Sequence, residues 1–301
     1  MDFALKPLPA MIGREVVGLD AAADIPEATA RALRAAWLEH GVLVFRGIGT
    51  SPEAQLRVSR CFGELEPHSI PVFRHPDYPE LILLSNENGP SGPVYDFDGV
   101  AIHGRIPWHA DGAFLVTPNS GALLRMVRKP KSGGQTGWLD MGMAYDALDD
   151  DTKAEIDGLE AVYLFRAGLE DIRFNRPHGT RLTPRKENFP YFPPVANPLV
   201  WTHPETGRKV LNLSTINIDR ILGLDEAASD ALIERLIAHI DQPQFQYIHE
   251  WDNNDMVLWD NRSTLHIARG HPVDEVRVVH RTTIKGTVPM GRTLSEEEMA
   301  A

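Results

Sequence analysis

The sequence predicts a mainly β fold, a double-layered barrel or jelly roll with helices packed outside it, and three observations carry that expectation. Short apolar or alternating runs recur along most of the chain, each long enough for a strand but too brief for a buried helix. Breaks rich in polar turn formers separate them, drawing on 24 Gly and 23 Pro. Only a few stretches hold the spacing of an amphipathic helix. With 301 residues, 43% hydrophobic and 24% charged, the composition suits a soluble globule with a sizeable core, and β architectures of this length are commonly one unit. A single domain, 1–301, is therefore expected.

Residues 15–19 (EVVGL) read as a first strand. Asp24 is placed to cap a helix that has Pro26 in its first turn, runs to Leu38 and is closed by Gly41. Residues 42–45 (VLVF) form a buried strand. A second helix has Ser51 as N-cap, Pro52 at its first position, Glu53 in its first turn and Gly63 as terminator. Residues 64–105 are rich in Gly and Pro, with one clear strand at 81–84 (LILL), and the segment NENGPSGPVYDFDG reads as a long loop. An extended stretch at 106–114 (IPWHADGAF) follows, then a strand at 122–127, a tight turn at Ser132, Gly133 and Gly134, and a strand through Thr136, Trp138 and Leu139.

A helical stretch at 143–157 precedes a strand at 161–165. Residues 166–194 are irregular and locally basic, with Arg166, Arg173, Arg176, Arg181, Arg185 and Lys186, as in a substrate loop or a solvated face. The irregular segments 64–105 and 166–194 are both expected to cover the active site. Strands at 199–201 and 210–213 flank the turn HPETG. An amphipathic helix at 225–240 is followed by strands at 245–248, 256–259, around His266 and at 276–284, and the tail 291–301 is expected to fray.

A formal charge of −12 argues against nucleic acid and anionic membranes as partners, since both require a cationic face. Cys61 is the only cysteine; it reads as a small core residue, and nothing demands an oxidising compartment. The start MDFALKPLPAMIG lacks the basic-then-apolar pattern of a signal peptide, and no apolar run reaches membrane-spanning length. A cytoplasmic protein is the expectation.

A His followed two residues later by an acid is a weak signal, since chance alone gives about two such pairs in a chain of this composition. The chain has four. His75 and Asp77 straddle Pro76, His203 and Glu205 sit in a turn, and His239 and Asp241 fall at a helix end. Only His109 and Asp111 lie in an apolar, aromatic-flanked extended stretch, where residues two apart share a face. Far downstream, His266 follows a short apolar strand, and Arg277 and Arg281 share a face by the same period. Two His and one carboxylate with open coordination positions describe the facial triad of a non-haem Fe(II) oxygenase. The HExxH zinc helix, the phosphate-binding Gly loops and the GxSxG elbow are missing from the sequence.

Four ordered motifs, WHADGAF, SGGQTGW, WDNRSTLH and RVVHRTTIKG, resemble the Fe(II)- and 2-oxoglutarate-dependent dioxygenases of the taurine dioxygenase and dichlorophenoxyacetate dioxygenase (TauD/TfdA) family, from the first helix to Lys285. The resemblance implies a double-stranded β-helix (a cupin-like jelly roll), with His109, Asp111 and His266 as iron ligands and O2 and 2-oxoglutarate as co-substrates. It implies that Thr136 hydrogen-bonds the distal carboxylate of 2-oxoglutarate and that Arg277 pairs with it, a planar fork suited to a carboxylate. Arg281 would meet the anionic group of a small organic substrate. Retention of Asp111 makes hydroxylation the expected outcome, with succinate and CO2 as co-products.

Taurine dioxygenases carry a His where this chain has Ile70, before Pro71 and Val72, so taurine is not the expected substrate. Ile70 and Phe114, with Tyr191 or Phe192, suggest a carboxylate with an apolar or aromatic body, such as an aryloxyalkanoate. His68 is expected to face away from the pocket. His103 and His271 read as ordinary loop histidines, His280 as structural, and residues 259–262 (WDNR) as a turn that positions the strand of His266. The alternatives are a sulfonate or sulfate-ester dioxygenase of the same family, a desaturating or ring-forming oxygenase, a metal-binding β-barrel without oxygenase activity, and a zinc hydrolase on the same ligand set. Members of the family often form dimers or tetramers, so a homo-oligomer is compatible with the resemblance.

Overall fold

Strand order shows how the chain builds its site. In the computed structural model, which describes residues 2–68, 71–89, 92–174, 176–185 and 188–300, seven strands form one sheet. Their order is Ala4–Pro7, Arg14–Val17, Val42–Phe45, Met256–Asp260, Gly121–Arg128, Val278–Ile284 and Leu81–Ser85. The second sheet runs Thr180–Arg181, Val94–Phe97, Val100–His109, Thr264–Pro272, Thr136–Asp140 and Gln246–His249. Pairing is antiparallel except where Arg14–Val17 meets Val42–Phe45. Strands from the C-terminal third lie between strands from the first half in both sheets, which is the double-stranded β-helix the sequence suggested. A smaller sheet of Ile218–Ile221, Glu160–Tyr163, Val195–Pro198 and Arg292–Thr293 lies beside them.

The core between the main sheets is tryptophan-rich. Trp138 from one sheet and Trp259 from the other are fully buried with ring centroids 5.9 Å apart, and Trp251 packs on Trp138. Helices Glu27–His40 and Pro52–Arg60 cover the outer face of the seven-stranded sheet through Leu33, Trp37 and Val58 against Leu43, Leu123 and Leu258. The Ser51 hydroxyl accepts a hydrogen bond from the Ala54 N–H at 3.2 Å, the cap expected there.

Several expectations need correction. The predicted loop through NENGPSGPVYDFDG contains the strand Val94–Phe97 and the start of Val100–His109, joined by a two-residue turn in which Asp98 (φ 55°) and Gly99 (φ 83°) are both left-handed. That is the turn whose twist suits a hairpin, and Asp-Gly is its favoured sequence. The helical stretch at 143–157 is two helices, Met141–Asp146 and Asp150–Ile156, because Asp140 and Asp149 each cap a new start. The first helix has Pro26, not Asp24, at its N-cap, without a side-chain cap. The tail forms the short helix Glu296–Ala300, with the Ser295 hydroxyl accepting from the Glu298 N–H. The stretch at 106–114 is a strand only as far as His109; Asp111 lies in the turn beyond it.

Candidate active site

The site begins at a cross-strand pair. His266 lies opposite His109 in the register of the two neighbouring strands, with ring centroids 4.0 Å apart. The His109 Nδ1–H donates to the Pro107 carbonyl at 2.7 Å, which fixes the tautomer and leaves a lone pair on Nε2. Asp111 Oδ1 stands 3.7 Å from Nε2 of both histidines, and the three donor atoms lie within 4.8 Å of one another.

Asn261 puts Asp111 in place although Asp111 is off the strand. Its Oδ1 accepts from the Asp111 N–H at 2.8 Å, and its Nδ2 donates to the Asp111 carbonyl at 2.9 Å and to that of Asn119 at 3.1 Å. Burial pushes the Asp111 carboxyl up, but Arg281, His266 and His109 outweigh it and hold the group well below the usual carboxylate range. Burial and the neighbouring His109 push His266 well below its ordinary value, so it offers a neutral ring. One ionised carboxylate and two converging imidazoles, with His266 a neutral ring at neutral pH, fit a divalent transition metal.

Arg281 and Arg277 occupy the same cavity as the triad, a space of about 540 Å³. Arg281 Nη2 donates to Asp111 Oδ2 at 2.7 Å, while its buried Nε has no partner among the described residues. Arg277 lies just before its strand, where the register shifts between Val278 and Val279. Burial pushes its guanidinium down to about 10. It forms no ion pair among the described residues, and its Nε is buried without a partner. Thr136 is buried in the cavity wall, and its Oγ1 accepts from Trp251 Nε1–H at 3.1 Å, leaving its own hydroxyl hydrogen free to donate.

Phe114 lines the cavity and packs edge-on against Phe165 and Phe192, at 5.1 and 4.9 Å. Ile82, Leu84 and Leu124 supply further apolar wall. Ile70 lies outside the described residues. Tyr191 is 81% exposed and does not line the cavity, whereas His68 does, contrary to expectation. His103 and His271 are not loop residues; they pair across two strands and are buried. His280 lies away from the cavity and accepts from Arg125 at 2.8 Å.

The basic segment is largely neutralised by its own surroundings. Arg166 pairs with Asp219, Arg173 with Glu226 and Asp230, Arg181 with Glu170, and Arg185 with Glu170 and Asp171; Lys186 lies outside the described residues. Residues from both irregular segments line the cavity, including Phe73, Tyr95, Leu169 and Ile172. The turn after Trp259 is structural as expected: Asp260 is buried between His203 Nε2, at 3.0 Å, and Arg262. What sequence reasoning missed was the grip of Asn261 on Asp111 and the bond from Trp251 to Thr136. The first was signalled only by an amide, which can donate and accept at once, inside a motif already singled out.

Comparison with known proteins agrees with this geometry. The chain is 35% identical over 292 residues to an (S)-phenoxypropionate/alpha-ketoglutarate-dioxygenase of Sphingobium herbicidovorans, covering 94% of this chain and 95% of that one. It is 32% identical to an alpha-ketoglutarate-dependent 2,4-dichlorophenoxyacetate dioxygenase of Cupriavidus pinatubonensis, covering 94% and 98%. A crystal structure of a taurine dioxygenase from Burkholderia xenovorans superposes with a TM-score of 0.77 at 29% identity, covering 98% of this chain and 95% of that one. With residues 4–283 matching the family described as taurine catabolism dioxygenase TauD, TfdA family, the chain belongs to the TauD/TfdA family.

Proposed function

We propose that this protein is an Fe(II)- and 2-oxoglutarate-dependent dioxygenase that hydroxylates an unactivated C–H bond of a small anionic organic substrate, with the whole chain serving as one catalytic domain. One observation carries the reading: a buried guanidinium, Arg277, without a counter-anion among the described residues shares its cavity with three converging metal donors. A buried, unpaired cation is costly, and a dicarboxylate reaching from the metal to Arg277 would relieve that cost. Fe(II), 2-oxoglutarate and O2 together supply oxidative decarboxylation to succinate and CO2 and delivery of hydroxyl to the substrate.

The chain's own groups would act as follows. His109, Asp111 and His266 would hold the iron. Arg277 and the Thr136 hydroxyl bind the distal carboxylate of 2-oxoglutarate, and Trp251 orients that hydroxyl. Arg281 restrains the second oxygen of Asp111 and keeps donors for the substrate's anion. Phe114 and its aromatic neighbours exclude water and bind the substrate body. Ile70 belongs to the proposed substrate wall on sequence grounds alone.

A carboxylate with an apolar or aromatic body, of the aryloxyalkanoate kind, is the favoured substrate. We place the protein in the cytoplasm; among the described residues no helix is long and apolar enough to cross a membrane. The test is anaerobic titration of the Fe(II) protein with 2-oxoglutarate, followed through the visible charge-transfer band of the chelated keto acid. Succinate release with a panel of carboxylates, sulfonates and sulfate esters would then identify the anion. No band with correctly folded, iron-loaded protein would overturn the reading.

A further inference from the structure

His103 is only 7% exposed, and the surface it retains faces the cavity that holds the triad. Its hydrogen bonds determine which of its nitrogens is bare. The Pro272 carbonyl can only accept, so His271 Nδ1, at 3.0 Å, carries the hydrogen of that contact. Burial lowers both imidazoles from their ordinary values, with Arg277 adding to the effect, and pushes His103 to about 4, so both rings are neutral. A neutral His271 protonated at Nδ1 has a bare Nε2. His103 Nδ1, 3.5 Å from it, therefore carries the hydrogen and donates. The tautomer of His103 follows: its Nε2 has a lone pair and no hydrogen.

That lone pair has no protein donor among the described residues. It lies beside Gly92, another residue of the cavity wall, whose Cβ, if it had one, would stand 3.8 Å from Nε2. The missing side chain leaves the nitrogen open. The wall also carries donors in Thr136, Arg277 and Arg281, yet among the described residues none of them hydrogen-bonds this nitrogen, which stands as an acceptor without a partner.

We propose that His103 is a specificity-determining residue whose Nε2 accepts a hydrogen bond from a hydroxyl or N–H on the body of the organic substrate. The substrate class is then an organic acid that also carries a hydrogen-bond donor away from its anionic group, which deepens and rests on the dioxygenase reading above. A buried acceptor left unmatched by an all-apolar substrate body penalises that substrate, so the residue selects by what the body can donate.

The test is calorimetric binding of phenoxyacetate and its ortho-, meta- and para-hydroxy and methoxy derivatives to the anaerobic Fe(II)–2-oxoglutarate enzyme. At least one hydroxy isomer should bind about 2- to 12-fold more tightly than the parent acid, and its methoxy counterpart should lose that advantage. The advantage should vanish in His103→Leu, survive in part in His103→Gln, which keeps an acceptor, and vanish in Gly92→Val, which covers the nitrogen without altering the histidine pair. Equal affinities across the hydroxy, methoxy and parent acids in the wild type, or an advantage that persists in His103→Leu, would overturn the proposal. The charge-transfer band is recorded on the same samples. Its absence alongside intact discrimination would count against the dioxygenase reading and leave the role of His103 supported.

Discussion

Replacing Arg277 by methionine should move two quantities in opposite directions. In the protein without 2-oxoglutarate the guanidinium is buried and unpaired among the described residues, and burial takes it from its ordinary value down to about 10. That fall corresponds to roughly 3 kcal/mol against keeping the charge in the folded state. The sign follows from linkage: a base whose folded value is depressed costs stability at every pH below about 10, and the cost fades only as pH rises from there toward the ordinary guanidinium value. Methionine keeps most of the stem and removes the charge, so the variant without ligand should melt at or above wild type, with a gain of up to roughly 3 kcal/mol that is flat between pH 7 and pH 9. Its affinity for 2-oxoglutarate should fall by about 30-fold to several thousand-fold, the range for removing one partner of a buried charge pair. Differential scanning calorimetry without ligand and anaerobic titration of the charge-transfer band read the two arms. A variant that melts well below wild type while binding 2-oxoglutarate almost normally would show that the guanidinium is structural and refute the argument.

Four other outcomes are expected. Asn261→Leu, which releases both backbone groups of Asp111, should lower metal affinity by about 10- to 100-fold with the three ligands intact, read by competition with a chelator. Gly121→Ala should cost about 1–3 kcal/mol in denaturant unfolding, because its Cβ would stand 2.5 Å from the Trp259 carbonyl oxygen and 2.6 Å from the Trp37 ring. Phe114→Ala should open the cavity toward Phe165 and Phe192 and shift preference, by kcat/KM, toward acids with bulkier rings. For Asp260, burial raises the carboxyl, but His203 and Arg262 outweigh it, so its folded value lies below the unfolded one. Its stabilising contribution is present above about pH 4 and is lost as pH falls through the folded value, so Asp260→Asn should lose about 3–5 kcal/mol at pH 7 and show a flatter acid limb in thermal unfolding.

The parts of the site legible in the sequence are those set by local chemistry. His109 and Asp111 stood out from three similar pairs because aromatic and apolar neighbours surround them, and Arg277 and Arg281 because they sit four residues apart in a strand-like run whose motif resembles that of the family. The hairpin at Asp98 and Gly99 was legible in principle, yet the Gly and Pro just before it hid the alternation of its strands. Long-range pairing was not legible. The basic run from Arg166 to Arg185 resembles an anion site until Asp219, Glu226 and Asp230 arrive from elsewhere in the chain to neutralise much of it. His103 reads as a loop histidine because its burial depends on His271, its cross-strand partner far along the chain. Asp111 stands beside the two histidines, but not by the strand parity that the sequence suggested. The strand ends at His109, two residues before Asp111, and Asn261 rather than strand parity fixes the Asp111 backbone.

Charge balance within the cavity carries the substrate argument one step further. Arg277 and Arg281 contribute two positive charges and Asp111 one negative charge, while Arg166, also in the wall, is paired with Asp219. Arg105 is exposed at the edge and stacked on Phe97, where solvent screens it, so it stands outside the count. A divalent ion on the triad raises the interior to three positive charges, and a doubly ionised keto acid reduces it to one. A monoanionic substrate then makes the closed site neutral, whereas a neutral ester or amide of the same acid would leave a buried cation unpaired and a dianion would leave a buried negative charge. Arg281 can hold Asp111 and still serve the substrate because a guanidinium has five N–H donors and the contact with Asp111 Oδ2 is made by Nη2, so its other donors would be left for the incoming anion.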